Sequence, residues 1–352
     1  RGFVTRSEAC QRVQRIVTFL AERATSYHGA FSHWIDGQTG QTLPFSADDN
    51  GADLVDTGLL FQGLLTARAY FDGADAAESK LRADITALWE AVEWDFFTKE
   101  GTEKVLYWHW SPDKGWAMNM PIQGWNEALI VYVLAASSPT HPIGREVYAE
   151  GWARGGAMRN GKLFYDTVLP LGEDYGGPLF WAQYSFLGLN PRGLSDAYAD
   201  YWEQVCNHTR INYAYCVDNP KGYAGYGADC WGLTASDIPD GYTASSPTND
   251  RGVIAPTAAL SSMPYTPDES MAALRFFYYK LGDKLWSDYG FIDAFDLTTG
   301  WFDRGMHIAI DQGPIVVMIE NYRTGLPWNL FMSDKEVQRG LAELGFTVEA
   351  GS

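Results

Sequence analysis

Residues 8–24 read EACQRVQRIVTFLAERA, and along them Val13, Ile16, Val17, Leu20 and Ala24 recur at helical spacing behind a start signal at Thr5 and Ser7. The pattern returns from residue 53 to the stop at Asp72-Gly73, carried by Leu54, Leu59, Leu60, Leu64 and Leu65. It returns again over 77–94 with Leu81, Ile85, Leu88 and Val92. Further helices are predicted at 126–136, 144–155, 179–187, 194–210, 230–235, 256–262, 267–281, 308–322 and 334–344, which makes about twelve. Between them run long connections rich in Gly, Trp, Tyr and Asp, at 29–50, 97–121, 161–177, 212–229, 239–254 and 282–305. Loops of this length in a folded domain usually carry function. The run 105–110 before Pro112-Asp113-Lys114-Gly115 reads as a short hairpin. Helices alternating with elaborate loops predict an all-α fold, six helical hairpins closed into an (α/α)6 barrel. No Pro- or Ser-rich linker divides the 352 residues and no fixed-period repeat points to a solenoid, so a single domain spanning 1–352 is expected.

Composition narrows the partner. The chain holds 44 Asp and Glu against 26 Lys and Arg, a formal net charge of -18, which repels nucleic acid phosphates and anionic membrane surfaces. No apolar run is long enough to span a bilayer. Aromatics reach 15 %, with 14 Trp and 20 Tyr. Such side chains offer a flat apolar face with one polar edge atom, a surface suited both to a core and to stacking on sugar rings. Cys10, Cys206, Cys216 and Cys230 include no C-x-x-C pair, which argues against a zinc site, and the last three are near enough in sequence for a disulfide in an exported protein. The chain begins at Arg1 rather than Met, consistent with a removed export signal or a shortened chain, and a periplasmic or secreted protein is expected. His28, His33, His109 and His307 show no metal-ligand spacing and read as hydrogen-bonding loop residues. No G-x-S-x-G elbow, phosphate-binding Gly loop or H-E-x-x-H motif occurs.

Hydrolysis of a glycosidic bond needs one carboxylic acid to protonate the leaving oxygen and one carboxylate to activate water or attack directly. Acids set in apolar surroundings are therefore the ones to find, because burial raises a carboxyl pKa. Asp53 and Asp56, in the run Asp48-Asp49-Asn50-Gly51-Ala52-Asp53-Leu54-Val55-Asp56, stand three apart at a helix start; N-capping is their ordinary alternative role. Glu127 enters the apolar run Ala128-Leu129-Ile130-Val131, and Asp311 stands at the mouth of the apolar helix that ends at Glu320-Asn321-Tyr322-Arg323. A capping box is the alternative for Glu127, and a structural ion pair accounts for Glu320 with Arg323. Asp237, in Thr234-Ala235-Ser236-Asp237, is a weaker candidate because Asp commonly forms turns.

Several of these stretches, in order along nearly the whole chain, resemble the bacterial glucoamylase-like family that includes the endo-β-1,2-glucanases of glycoside hydrolase family 144. They are Gly51-Ala52-Asp53-Leu54-Val55-Asp56-Thr57, Trp125-Asn126-Glu127-Ala128, Gln183-Tyr184-Ser185-Phe186, Trp231-Gly232-Leu233-Thr234-Ala235-Ser236-Asp237, Tyr289-Gly290-Phe291-Ile292-Asp293-Ala294-Phe295, and Asp311-Gln312-Gly313-Pro314 with Glu320-Asn321-Tyr322-Arg323-Thr324-Gly325-Leu326. The resemblance implies an (α/α)6 toroid without metal or other cofactor, acting as a monomer on an oligosaccharide or polysaccharide. It implies inverting cleavage of β-1,2-glucan to sophoro-oligosaccharides, with Glu127 as general acid and Asp311 as general base. Asp49, Asp53, Asp56, Trp125, Gln183, Tyr184, Trp231, Tyr265, Arg323 and Trp328 are then the expected substrate contacts. The family pattern carries Glu at the position of Asp56. An exo-acting or transglycosylating enzyme of the same fold, or a glycan-binding protein without catalysis, are the alternatives.

Overall fold

The computed structural model describes residues 1–303 and 305–349, and its backbone contacts divide the chain into two units interleaved in sequence. One unit comprises Arg1–Gly124, Ala128–Ala157 and Asn329–Thr347; the other comprises Trp125–Glu127, Met158–Trp328 and the chain from Val348. Helices dominate. They are α1 (Arg6–Glu22), α2 (Leu54–Tyr70), α3 (Ala76–Glu90), α4 (Leu129–Ser137), α5 (Tyr201–Asp218), α6 (Pro256–Leu260), α7 (Pro267–Tyr279), α8 (Gly282–Leu285), α9 (Ala309–Thr324), α10 (Leu326–Met332) and α11 (Lys335–Leu344). The described strands pair only as short two-stranded ribbons.

In the first unit, α1 starts on a capping box in which Thr5 Oγ1 accepts from the Glu8 amide at 3.2 Å and Glu8 accepts from the Thr5 amide at 2.8 Å. α1 packs on α3, and α2 packs on both α3 and α4. Every residue of α4, LIVYVLAAS, is buried, as expected of a helix that is apolar all round. α11 lies directly against it, with Gly340 so close to Ser137 that an added Cβ would fall 2.1 Å from its Oγ. Arg68 of α2 binds Asp334 and Glu336 at the start of α11, both at 2.7 Å, and Trp89 Nε1 of α3 donates to the same Glu336 at 3.0 Å. This largely buried network fixes α2 and α3 on α11.

The second unit is built around Trp231, Leu233, Ala258, Phe277, Phe291 and Phe295. α5 starts where Asp200 accepts from the Glu203 amide and stops at Asn219, which adopts the left-handed conformation. α9 buries Asp311, Pro314, Ile315, Met318 and Asn321, a stripe at helical spacing, and ends at Gly325 with φ of 68°.

Several expected elements differ. The 144–155 segment is a π-helical turn (Val147–Trp152) followed by a 3-10 turn, and 179–187 is two 3-10 turns. The helix expected from 194 begins only at Tyr201, because Asp200 caps it there. Residues 230–235 are not helical: Gly232 takes φ of 127°, outside the helical range, and Ala235 opens a ribbon pairing Ala235–Ile238 with Gly241–Ala244. The expected hairpin after 105–110 does form, as antiparallel bridges of Ser111 with Gly115 and Tyr107 with Pro121, and His109–Trp110 pairs in addition with Ala52–Asp53. α10 follows Gly325 at once and was not expected. All four cysteines are buried free thiols, so the anticipated disulfide is absent among the described residues. No helix among them is long and apolar enough to cross a membrane.

Candidate active site

Each unit carries its own group of acids. In the first, the pairing of Ala52–Asp53 with His109–Trp110 sets Asp53 opposite His109. Asp53 is the N-cap of α2: Oδ1 accepts from the amides of Val55 and Asp56, both at 2.9 Å. Its Oδ2 takes Trp108 Nε1 at 3.1 Å and His33 Nδ1 at 3.0 Å. Asp53 has no exposed surface, and both of its oxygens are engaged. Asp49 is also buried, and its Oδ2 lies 3.6 Å from His109 Nε2. Burial raises its pKa, partly opposed by His109. Asp56 differs, with a third of its side chain exposed and Oδ2 3.3 Å from His33 Nδ1. Burial, followed by the charge of Asp53, pushes its carboxyl up to about 7. The hydrogen bond to Asp53 raises the pKa of His33 in turn. Thus His33 and His109, expected as plain loop residues, tie the acidic cluster together.

In the second unit, Glu127 lies just before Ala128, the residue that caps α4, rather than inside the helix as expected. No side chain caps α4, so the capping role is not what places Glu127 there. Gly124, with φ of 77°, turns the chain into this segment, and Ser185 Oγ donates to the Glu127 carbonyl. The Glu127 side chain is half-buried.

Asp311 sits in the first turn of α9, its carbonyl held by Thr257 Oγ1 at 2.8 Å. It is almost wholly buried. Oδ1 accepts from the Tyr184 hydroxyl at 3.2 Å, while no donor among the described residues reaches Oδ2. Asp293, also buried, is in hydrogen-bond contact with it and likewise has one oxygen, Oδ1, without a donor. Two such carboxyls side by side are satisfied when they share a proton. Burial first, then the charge of Asp293, lifts Asp311 to about 8, against the pull of the helix N-terminus and the Tyr184 hydrogen bond. Burial also raises Asp293. Asp293 Oδ2 accepts from the Asp237 amide at 2.7 Å, and Asp303, lifted to about 6 by burial and by Asp237, completes the group.

The ribbon sets Tyr242 opposite Asp237. Burial of the phenols, then the charge of Asp311, raises the pKa of both Tyr184 and Tyr242, and Glu127 adds to both shifts. Adjacent residues of one turn thus meet both acids, Tyr184 at the Asp311 carboxyl and Ser185 at the Glu127 carbonyl. Tyr242 gave no sequence signal. Asp293 had one, a lone acid in the apolar run Phe291-Ile292-Asp293-Ala294-Phe295.

Of the remaining expected substrate contacts, Trp125, Gln183, Trp231, Tyr265 and Trp328 are buried. Trp125 is buried beside Phe186 and Tyr201, with Nε1 3.4 Å from His208 Nδ1. Gln183 links to Ala258 O and Ser262 Oγ; Trp231 Nε1 donates to Glu269 O; the Tyr265 hydroxyl donates to Ala182 O; Trp328 Nε1 donates to Phe186 O. All five are more than nine-tenths buried. Arg323 lies on the surface, 3.8 Å from Glu320, a loose ion pair. Ligand-atom spacing alone would let a cation sit among His33, Asp49 and Asp53 or among Asp237, Asp293 and Asp303. Asp53 already accepts from Val55, Asp56, Trp108 and His33, and Asp293 Oδ2 accepts from the Asp237 amide.

A buried pair of carboxyls with a tyrosine hydroxyl donating to one of them, on a helix-rich scaffold, is an arrangement suited to acid and base catalysis. The chain belongs to the family described as "Glycoamylase: Putative glucoamylase", whose pattern matches residues 119–335. It is 47 % identical over 364 residues to an exo β-1,2-glucooligosaccharide sophorohydrolase (non-reducing end) of Parabacteroides distasonis, covering 98 % of this chain and 50 % of that protein. The chain thus spans half the length of this relative. Among solved structures, the endo-β-1,2-glucanase of Chitinophaga pinensis, in complex with sophorotriose and glucose, matches with a TM-score of 0.95 at 52 % identity. That match covers 99 % of this chain and 84 % of the other. A β-1,2-glucanase of Parabacteroides distasonis matches with a TM-score of 0.94 at 46 % identity, over 98 % of this chain and 52 % of the other.

Proposed function

We propose that this chain hydrolyses β-1,2-linked glucan to sophoro-oligosaccharides with inversion at the anomeric carbon. Glu127 protonates the leaving oxygen, and Asp311, sharing a proton with Asp293, takes the proton of the attacking water. The observation that carries this reading is that one 3-10 turn, Tyr184–Leu187, touches both acids: the Tyr184 hydroxyl donates to Asp311 Oδ1 at 3.2 Å and Ser185 Oγ donates to the Glu127 carbonyl. Inversion calls for roughly 6.5 to 9.5 Å between the two carboxyls. Because Asp311 is buried, it reaches water through a relay of hydroxyls rather than by direct contact. The activities named for the relatives support β-1,2-glucan as the substrate, and they include both endo and exo cleavage.

The test is product analysis against linear β-1,2-, β-1,3- and β-1,4-glucans. Cleavage confined to the β-1,2 chain supports the reading; cleavage of another linkage, or of none, rejects it. An even ladder of products indicates endo attack, and release of a single disaccharide from the outset indicates the exo alternative.

A further inference from the structure

A ribbon in the first unit pairs Trp34 with Leu43, and Trp34, Leu43 and Phe45 leave 52, 46 and 55 % of their surface exposed. Trp34 and Phe45 meet edge to face, with ring centres 5.0 Å apart and planes at 73°. Exposed apolar side chains gathered at one place mark an interaction site.

The neighbouring groups identify the occupant. His33 packs its ring on Phe45 at 4.6 Å, and the same imidazole holds Asp56 by its Nδ1 at 3.3 Å. A flat apolar corner and a partly exposed carboxyl acceptor are therefore joined through one histidine. A glucosyl ring presents the matching pair of features, a face of C–H groups and a rim of hydroxyl donors. A purely apolar partner would offer nothing to the exposed third of Asp56, and an anionic lipid surface would be repelled by the charge of -18.

We infer that Trp34, Phe45 and Asp56 form a glucosyl-binding subsite in which Trp34 or Phe45 stacks on the sugar face and Asp56 accepts from its hydroxyls. His33 is a positioning residue that orients Asp56. The inference rests on the reading of the chain as a glucan-active protein and adds Trp34, Phe45 and His33 to Asp56, which the family resemblance already placed among the substrate contacts.

The test compares the otherwise native chain with Trp34→Ala, Phe45→Ala and Trp34→Phe. KM and kcat are measured on a ladder of β-1,2-gluco-oligosaccharides, and retention on β-1,2-, β-1,3- and β-1,4-glucan is measured by affinity electrophoresis in a Glu127→Gln background. Circular dichroism and thermal melting verify the fold, which truncation of half-exposed rings should leave intact. The expected result is a rise in KM of about tenfold for Trp34→Ala, the loss of one stacked ring, with kcat within twofold of wild type and most of the affinity kept in Trp34→Phe. Unchanged KM and retention in both alanine variants would overturn the subsite. If those variants instead convert a dimer to a monomer without altering glucan binding, the patch is a protein interface and the inference fails. Wild-type chain that ignores β-1,2-glucan but binds another glucan, with that binding lost in Trp34→Ala, would reject the proposed linkage and leave the subsite standing. Wild-type chain that binds no glucan would reject both.

Discussion

The Tyr184 hydroxyl donates to Asp311 Oδ1 at 3.2 Å, and this is the one donor from a described side chain to a buried carboxyl whose other oxygen has none. A carboxylate so poorly supplied with donors is held in its protonated form until well above the ordinary range of an aspartate. Asp293, pressed against it, supplies the charge that makes ionisation harder still.

Asp293→Asn should therefore lower the pKa of Asp311, because the variant removes a neighbouring negative charge. If ionised Asp311 is the base, the acid limb of kcat/KM moves to lower pH in the variant, with the plateau reduced by less than a loss of the base itself would cause. A pH-rate series on both proteins checks this. An unmoved limb would separate Asp293 from the base.

Stability should follow the same carboxyl. The folded-state pKa of Asp311, about 8, lies above the ordinary value of 3.8, so between those limits the folded chain holds a proton that the unfolded chain has released. Stability then falls as pH rises through this window, on the order of 1 kcal/mol per pH unit for the shared proton. Asp311→Asn should raise the melting temperature at pH 8, change it less near pH 5, and abolish turnover. Thermal melts at the two pH values provide the comparison, and equal shifts at both would contradict it.

Replacement of the acid has its own signature. Glu127→Gln should cut kcat on glucan about 10³-fold while glucan binding persists. An aryl sophoroside with a leaving group that needs no protonation should regain most of the lost rate. Unchanged turnover on glucan, or an equal loss on both substrates, would remove Glu127 from the acid role.

Glu127 and Asp311 stand out in the sequence for a simple reason: a single charged residue in an apolar run requires a cause. Asp293 satisfied the same criterion and still went unassigned. Trp125, Trp231, Tyr265 and Trp328 misled because an indole or phenol suits a sugar face and a core equally well. What separates the two is whether its polar atom is taken by a distant carbonyl, such as Phe186 O for Trp328, and spacing along the chain does not carry that information. Tyr242 depends on the register of a ribbon, and the two histidines of the Asp53 cluster depend on the pairing of 52–53 with 109–110. Helices with a capping residue and a clear periodicity, such as α1 and α2, were read nearly to their ends. The π and 3-10 turns were read as longer α-helices because the apolar spacing is similar.

Packing in the first unit gives a prediction independent of the chemistry. Gly340→Ala on α11 would drive a Cβ to 2.1 Å from Ser137 Oγ and 2.7 Å from its amide nitrogen. Backbone cannot yield as a flexible side chain would, so α4 and α11 must separate, at a cost of about 1 to 3 kcal/mol. Urea unfolding should show the midpoint fall with the slope unchanged. A variant as stable as wild type would show that this contact is looser than the structure places it.

The most direct test of the central claim follows the anomeric proton of the first product by NMR during hydrolysis of β-1,2-glucan. With Glu127 as acid and Asp311 activating water, the α-anomer accumulates first and the β-anomer appears only through mutarotation. Initial release of the β-anomer would contradict the account.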